Sequence, residues 1–294
     1  MKVLNIGSLN YDYVYTVKHI VEKGETISSQ NMEVFCGGKG LNQSIALSKA
    51  GVPVYHAGLI GEEGELFLQE CLINGVNTTY IKQILGKSGH TIIQVDEQAQ
   101  NCIILFGGAN QKFSKEYIDA VLKNFEKGDI LLLQNEINEL NYIIDRAYEI
   151  GLQIVLNPSP YNEKMEQCNL SKISVFMMNE IEGEQITGEK EPEKIMQEIK
   201  NKYPEAKVVL TLGSNGVMYQ YKDEVCHQGI FEVKAVDTTA AGDTFTGYFI
   251  ATMIEEMPIK EALRLCAKAS SITVSRKGAT QSIPFRSEVE HRLQ

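Results

Sequence analysis

The chain has 294 residues, with 28 Lys and Arg against 38 Asp and Glu and a formal net charge of −10, a balance that argues against a general nucleic-acid partner. No apolar run approaches the ~18 residues needed to cross a bilayer. Met1-Lys-Val-Leu-Asn-Ile passes straight into a strand with no signal-like apolar region, so a soluble cytoplasmic protein is expected. The length suits one large α/β domain or two smaller ones, and no linker rich in Pro, Gly or Ser, and no repeat, divides it.

In chain order, Val3-Leu-Asn-Ile opens a short strand read as ending in the polar residues Asn10 and Asp12. Tyr13 to Thr16 and Ile27 to Phe35 read as antiparallel strands around a turn. Cys36-Gly37-Gly38-Lys39-Gly40-Leu41-Asn42-Gln43 then opens a helix running to about Lys49 and closed by Gly51 and Pro53. Its glycines let a ligand approach the backbone, and Lys39 and Asn42 supply polar reach; the bland alternative is a flexible turn before a helix. Gly86-Lys87-Ser88 looks like the end of a phosphate loop, but position 81, where that pattern needs glycine, is Ile. It reads instead as a loop entering the strand Thr91–Val95, paired with Asn101–Leu105. Phe106-Gly-Gly-Ala-Asn110 reads as a hinge back to the main body.

Several apolar runs then end abruptly in polar residues. Ile130–Leu133 ends in Gln134-Asn-Glu136, and Leu152–Leu156 in Asn157-Pro-Ser159. Val175–Met178 ends in Asn179-Glu-Ile-Glu182, and Val208–Leu210 in Thr211-Leu-Gly213. Helical stretches separate them at Ser114–Phe125, Asn138–Ile150 and Pro192–Tyr203. The alternation predicts a mostly parallel sheet covered on both faces. Ligands of such sheets collect at the strands' carboxyl ends, which places Asn10, Asp12, Glu136, Asn179 and Gly213 along one edge.

Asp237-Thr-Thr-Ala-Ala-Gly-Asp243-Thr-Phe is the most informative stretch. Apolar positions at Phe245, Tyr248, Phe249 and Met253, with Thr252, predict an amphipathic helix. Its first turn holds Ala240, Ala241, Gly242 and Asp243, where unpartnered N–H groups and the positive dipole end suit a phosphate or a developing anion. A carboxylate there can cap the helix, or it can take a proton from a hydroxyl attacking that phosphate. The six cysteines (36, 71, 102, 168, 226, 266) form no C-x-x-C and read as free thiols of a reducing compartment. Cys226-His227 has no second pair at metal-ligand spacing. No G-x-G-x-x-G follows a strand, which argues against a dinucleotide oxidoreductase. His56 and His227 read as structural or surface residues.

The Gly37–Gln43 and Asp237–Phe245 motifs resemble those of the ribokinase-like family of sugar and nucleoside kinases. Gly7–Asp12, Asn179–Glu182, Thr211–Gly216 and Arg276–Ala279 fall in the family's order, so the resemblance spans Val3 to about Phe285 and lies nearest the ribose kinases. It implies an α/β fold with helices on both faces of a mostly parallel sheet, built as a single domain over 1–294. A small β-sheet lid, inserted at roughly 13–35 and 90–106, would clasp a second lid in a homodimer. It also implies transfer of the γ-phosphoryl group of ATP to the 5-hydroxyl of D-ribose. Another sugar or a nucleoside is the main alternative; a catalytically silent sugar-binding protein is a third, against which the intact Asp243 weighs.

By the same resemblance Asp243 matches the general base, and Ala240, Ala241 and Gly242 match the anion hole. Asn10, Asp12, Gly38, Lys39, Asn42 and Glu136 match sugar-binding positions. Asn179, Thr211, Gly213 and Gly216 match ATP-binding positions, and Glu182 matches the position that organises Mg²⁺ through water. Asp237, Thr239, Thr273, Arg276, Gly278 and Ser282 match a loop for a monovalent cation such as K⁺, mostly through backbone carbonyls. Leu41 and Thr91 stand where Ala is usual, which bears on the sugar pocket. Ala267, followed by Lys268, stands where some members carry His, which bears on base packing.

Overall fold

The computed structural model describes residues 1–98 and 100–293; position 99, within the expected 90–106 lid span, and position 294 lie outside the described residues. In chain order, β1 (Val3–Ile6) leads to β2 (Asn10–Thr16), β3 (Asn31–Gly37), α1 (Lys39–Lys49) and β4 (Val54–Ile60). Next come α2 (Glu65–Ile73), β5 (Asn77–Gln83), β6 (Gly89–Val95), β7 (Asn101–Phe106) and α3 (Lys115–Leu122). β8 (Ile130–Gln134), α4 (Leu140–Ile150), β9 (Gln153–Asn157), β10 (Val175–Asn179), α5 (Glu180–Thr187), α6 (Pro192–Lys202) and β11 (Lys207–Thr211) follow. The hairpin β12 (Val217–Tyr221) and β13 (Glu224–Gln228) precedes α7 (Ala241–Ile254), α8 (Ile259–Val274) and α9 (Arg286–His291).

A nine-stranded sheet runs in the order β13-β12-β11-β10-β9-β8-β1-β4-β5. Neighbours from β5 to β11 are parallel, and β12 and β13 close one edge as an antiparallel hairpin. Because side chains alternate across a strand, each apolar run feeds two cores. Ile130 and Leu132 enter one with residues of α1, α7 and α8; Leu131 and Leu133 enter the other with residues of α3, α4 and α6. The chain turns away from β1 in opposite directions, to β4 on one side and β8 on the other, so the carboxyl ends of β1 and β8 form a topological switch point.

A separate four-stranded sheet has the order β3-β2-β6-β7. Its two antiparallel pairs match the sequence expectation, but β3 begins at Asn31, so Ile27 to Gln30 lie outside the strand. The pairs are joined by a parallel β2–β6 ladder, which strands so far apart in sequence give no local sign of. Asn10 and Asp12 belong to β2, not to the end of β1, so Gly7 to Leu9 carry the chain between the sheets. The helix after Asp243 also differs from its expected amphipathic form. α7 is buried on all sides from Asp243 to Thr252. Gly247 allows this, since a Cβ there would lie 2.5 Å from Ala46 Cβ and 2.7 Å from Leu47 N of α1. β4, β5 and the β12–β13 hairpin, which turns at Lys222 with φ 53°, had no place in the sequence reading. Among the described residues no helix is long and apolar enough to cross a membrane.

Candidate active site

A cavity of about 1050 Å³ opens between the carboxyl ends of the long sheet, the four-stranded sheet and the first turn of α7. It is lined by Asn10, Asp12, Gly38, Lys39, Asn42 and Glu136, by Asn179, Glu182 and Thr211, and by Asp237, Thr239, Ala240 to Asp243 and Gly278. At the switch point Glu136 seats against the start of α1. Lys39 N–H donates to its Oε2 at 3.0 Å, and Ser8 Oγ donates to the same oxygen. The positive end of α1 favours this carboxylate. Gly40 is needed there: a Cβ would meet Ser8 N at 2.3 Å.

Asn10 is almost fully buried, and its Oδ1 accepts from Asn110 Nδ2 at 2.8 Å. Asn110 also binds both the N–H and the carbonyl of Leu9, at 3.1 and 3.2 Å. This fixes the Asn10 amide with its nitrogen toward Gly38, a role for Asn110 that its place in the presumed hinge did not suggest. Beside it Thr91 Oγ1 donates to Asp12 Oδ1 at 2.5 Å. Burial lifts the Asp12 carboxyl to about 6; the Thr91 hydroxyl opposes the rise, and the charge of Glu136 adds to it. Burial pulls the Lys39 ammonium toward deprotonation, but Asp243, Glu136 and Glu182 together outweigh it and raise its pKa above the ordinary lysine value.

Across the cavity, Asn42 Nδ2 donates to Asp243 Oδ2 at 3.0 Å and Gln43 Nε2 to Asp243 Oδ1 at 2.8 Å. Gln43 was visible in the motif but carried no expected role. Ala240 holds a left-handed φ of 60°, a strained conformation for a residue with a Cβ, and turns the chain into α7. No hydrogen bond within the described residues takes the N–H of Gly242 or Asp243, whereas Ala241 N–H is turned to Thr238 O at 3.3 Å. The unpartnered donors of the turn among the described residues are therefore Ala240, Gly242 and Asp243, so that of the Ala240–Gly242 set implied by the resemblance only the Ala241 N–H is taken.

Asn179 and Glu182 form a capping box on α5: Asn179 Oδ1 accepts from Ile181 N and Glu182 N, and Glu182 Oε2 accepts from Asn179 N at 2.8 Å. This leaves Glu182 Oε1 and Asn179 Nδ2 without a hydrogen-bond partner among the described residues. Gly213 and Gly216 do not line the cavity. Gly216 instead lets β12 meet β13, since its Cβ would lie 2.1 Å from Gln228 O. Lys268 lies over the ring of Phe231 at 4.7 Å.

The expected cation residues divide. Asp237 joins two loops, accepting from Thr239 N at 2.9 Å and Gly278 N at 3.0 Å. Burial opposes its ionisation, but these bonds and the charge of Lys277 hold it below the usual carboxylate range. Thr273 and Ser282 are fully buried and bonded inward, to Thr244 and to Ala279 O, and Arg276 pairs with Glu288. None of these three side chains lines the cavity. Among the described residues no cluster of three or more His, Cys, Asp or Glu is placed to hold a metal, and all six cysteines are free.

The chain matches the model of the pfkB family carbohydrate kinases over residues 1–286. It is 34% identical over 293 residues to a ribokinase of Haemophilus influenzae, covering 96% of this chain and 95% of that protein. It is 28% identical over 297 residues to a deoxyribokinase of Salmonella typhi, covering 97% and 96%. A solved structure of Arabidopsis thaliana ribokinase complexed with ribose and ATP shares 30% identity and a TM-score of 0.87, covering 100% of this chain and 98% of that one. The chain belongs to the pfkB family of carbohydrate kinases, with the ribokinase-like fold, and is an ATP-dependent sugar kinase.

Proposed function

We propose that the protein transfers the γ-phosphoryl group of ATP to the 5-hydroxyl of D-ribose, with Asp243 as the general base. One observation carries this reading: the Asp243 carboxylate, next to unpartnered N–H groups at a helix start, faces Asn10, Asp12 and Lys39 across a single cavity. Asn10, Asp12, Gly38, Lys39, Asn42 and Glu136 bind the sugar, the amides and carboxylates among them bridging hydroxyls. Asp243 takes the proton of the attacking hydroxyl as it reaches phosphorus. Charge developing on the transferred group is met by the N–H groups of Ala240, Gly242 and Asp243 and by Lys39. Asn179 and Thr211 face the nucleotide; Gly213 and Gly216 shape the loop behind it.

Hard oxygen donors fit the implied ions. Glu182 Oε1 would hold Mg²⁺ through water, since Mg²⁺ sheds its shell reluctantly, and the ion would neutralise phosphate charge. The ionised Asp237, with carbonyls of the 236–239 and 273–282 loops, suits K⁺ beside the first turn of α7. We read residues 1–294 as one domain in the cytoplasm, with the four-stranded sheet as a lid over the sugar. Exposed Ile103 to Phe106 on β7, with Met32, Val34 and Ile92, give that lid an apolar surface suited to a homodimer; a monomer mass by light scattering contradicts the dimer.

The deoxyribokinase relative makes 2-deoxyribose the acceptor to set against ribose. The test is an ADP-release assay of the protein against pentoses, hexoses and nucleosides. The highest kcat/KM with ribose is expected; a higher value with 2-deoxyribose, another sugar or a nucleoside overturns the ribose assignment.

A further inference from the structure

We propose that Gln43 and Gln134 are positioning residues for Asp243, the last links of a buried amide chain that fixes the carboxylate for proton transfer. This rests on the kinase reading above. Asn5, Gln43, Ser44, His56 and Gln134 are all fully buried, between β1, β4, β8 and α1. Burying so many polar groups is unfavourable unless they satisfy one another.

Their donor directions form one consistent set. The carbonyl of Gly40 can only accept, so Asn5 turns its Nδ2 to it at 2.7 Å and to Ser44 Oγ at 2.8 Å. That leaves Asn5 Oδ1 to accept from Gln134 Nε2 at 3.1 Å. Gln134 Nε2 spends its other hydrogen on Gln43 Oε1 at 2.7 Å. With its oxygen taken, Gln43 presents Nε2 to Asp243 Oδ1 at 2.8 Å. At the far end Ser44 Oγ, having accepted from Asn5, is paired with His56 Nδ1 at 2.8 Å. Burial keeps that ring neutral, pulling its pKa down to about 4 against the opposing effect of the Gly7 backbone. The chain thus runs from an acceptor in the backbone of α1 to an acceptor on Asp243, and no amide in it can flip without breaking two bonds.

Gln43 and Gln134 do not line the cavity, so neither is placed to touch sugar or nucleotide. Their effect is to hold the plane of the Asp243 carboxylate, leaving its remaining lone pairs to the cavity. A misplacement near 1 Å is enough to slow transfer by about 10²-fold.

The test uses Gln43→Leu and Gln134→Leu in the full chain, alone and combined with Asp243→Asn. Wild-type turnover is measured first, on whichever acceptor of the substrate panel is used best. No turnover with any acceptor sinks the kinase reading itself. With an active wild type, Gln43→Leu is expected to lower kcat about tenfold or more, with both KM values within about threefold. Gln134→Leu leaves both Asp243 bonds in place and is expected to lower kcat roughly three- to tenfold; it decides the matter if Gln43→Leu does not fold. In the Asp243→Asn background either substitution should change the residual rate less than about twofold, because effects that act through one group are not additive. A folded Gln43→Leu with kcat within about threefold of wild type overturns the positioning role. So does an equal fractional loss in both backgrounds, which a merely structural contribution would give.

Discussion

Asp12→Asn should stabilise the protein at neutral pH while impairing it as a sugar kinase. The Asp12 carboxyl rises from 3.8 to about 6, chiefly by burial, with Glu136 adding to the rise and Thr91 opposing it. At about 1.36 kcal/mol per unit this is roughly 3 kcal/mol, which solvent at the cavity wall reduces to ~1–3 kcal/mol. The folded value lies above the unfolded one, so the folded protein binds more protons between pH 3.8 and about 6. Stability therefore falls as pH rises through that window, and the penalty is complete above it. Asn removes the penalty and can still accept from Thr91. At about 2.1 cal/mol/K per residue of unfolding entropy, Tm at pH 8 should rise by about 2–5 °C, with little difference at pH 4. A carboxylate hydrogen bond to a sugar hydroxyl is worth about 1.5–3 kcal/mol, so kcat/KM for ribose should fall roughly 10- to 100-fold. Melting curves at pH 4, 6 and 8 and a coupled assay at pH 8 make the comparison. A Tm difference independent of pH, or a mutant less stable at pH 8, refutes the burial argument.

Three further outcomes follow from the same geometry. Below about pH 6 Asp12 protonates and the KM for ribose should rise; Thr91→Ala removes the bond that opposes the shift, so the rise should begin at higher pH, read from KM between pH 5 and 8. Gly247→Ala puts a Cβ into the backbone of α1 and should cost ~1–3 kcal/mol by urea midpoint, with kcat falling as Asn42 and Gln43 shift against Asp243; an unchanged midpoint contradicts the close packing. Activity in KCl should exceed that in NaCl or choline chloride at equal ionic strength, and Asp237→Ala should erase the difference, since Asp237 ties the 236–239 loop to Gly278. Equal rates in all three salts remove the cation from the account.

What could be read from the sequence divides along a physical line. Local signals were legible: the parallel-sheet alternation, the glycine-led start of α1, and the small residues before Asp243 each state their geometry within a few neighbours. Contacts made across the fold were not. Asn110 steers Asn10, Thr91 holds Asp12 and Gln134 reaches Gln43 through contacts between segments distant in sequence, which no periodicity encodes. The burial of α7 on every side was missed because its apolar rhythm fits a one-sided helix, while Gly247, the residue that admits α1, reads as neutral. Thr273, Arg276 and Ser282 match the cation loop by position and mostly through backbone carbonyls, so the bonds of their side chains to Thr244, Glu288 and Ala279 were not legible from the motif.

The most direct measurement is kcat of Asp243→Asn against wild type at saturating ribose and Mg-ATP, with thermal melting alongside. Asn keeps the size of the side chain but cannot take the hydroxyl proton, and a positioned general base is worth roughly 10²–10⁴ in rate. Wild type should phosphorylate ribose, and the variant should melt within a few degrees of it and turn over at least about 10²-fold more slowly. A variant that melts normally and turns over within about threefold of wild type would contradict the account, leaving Asp243 as no more than part of a helix start.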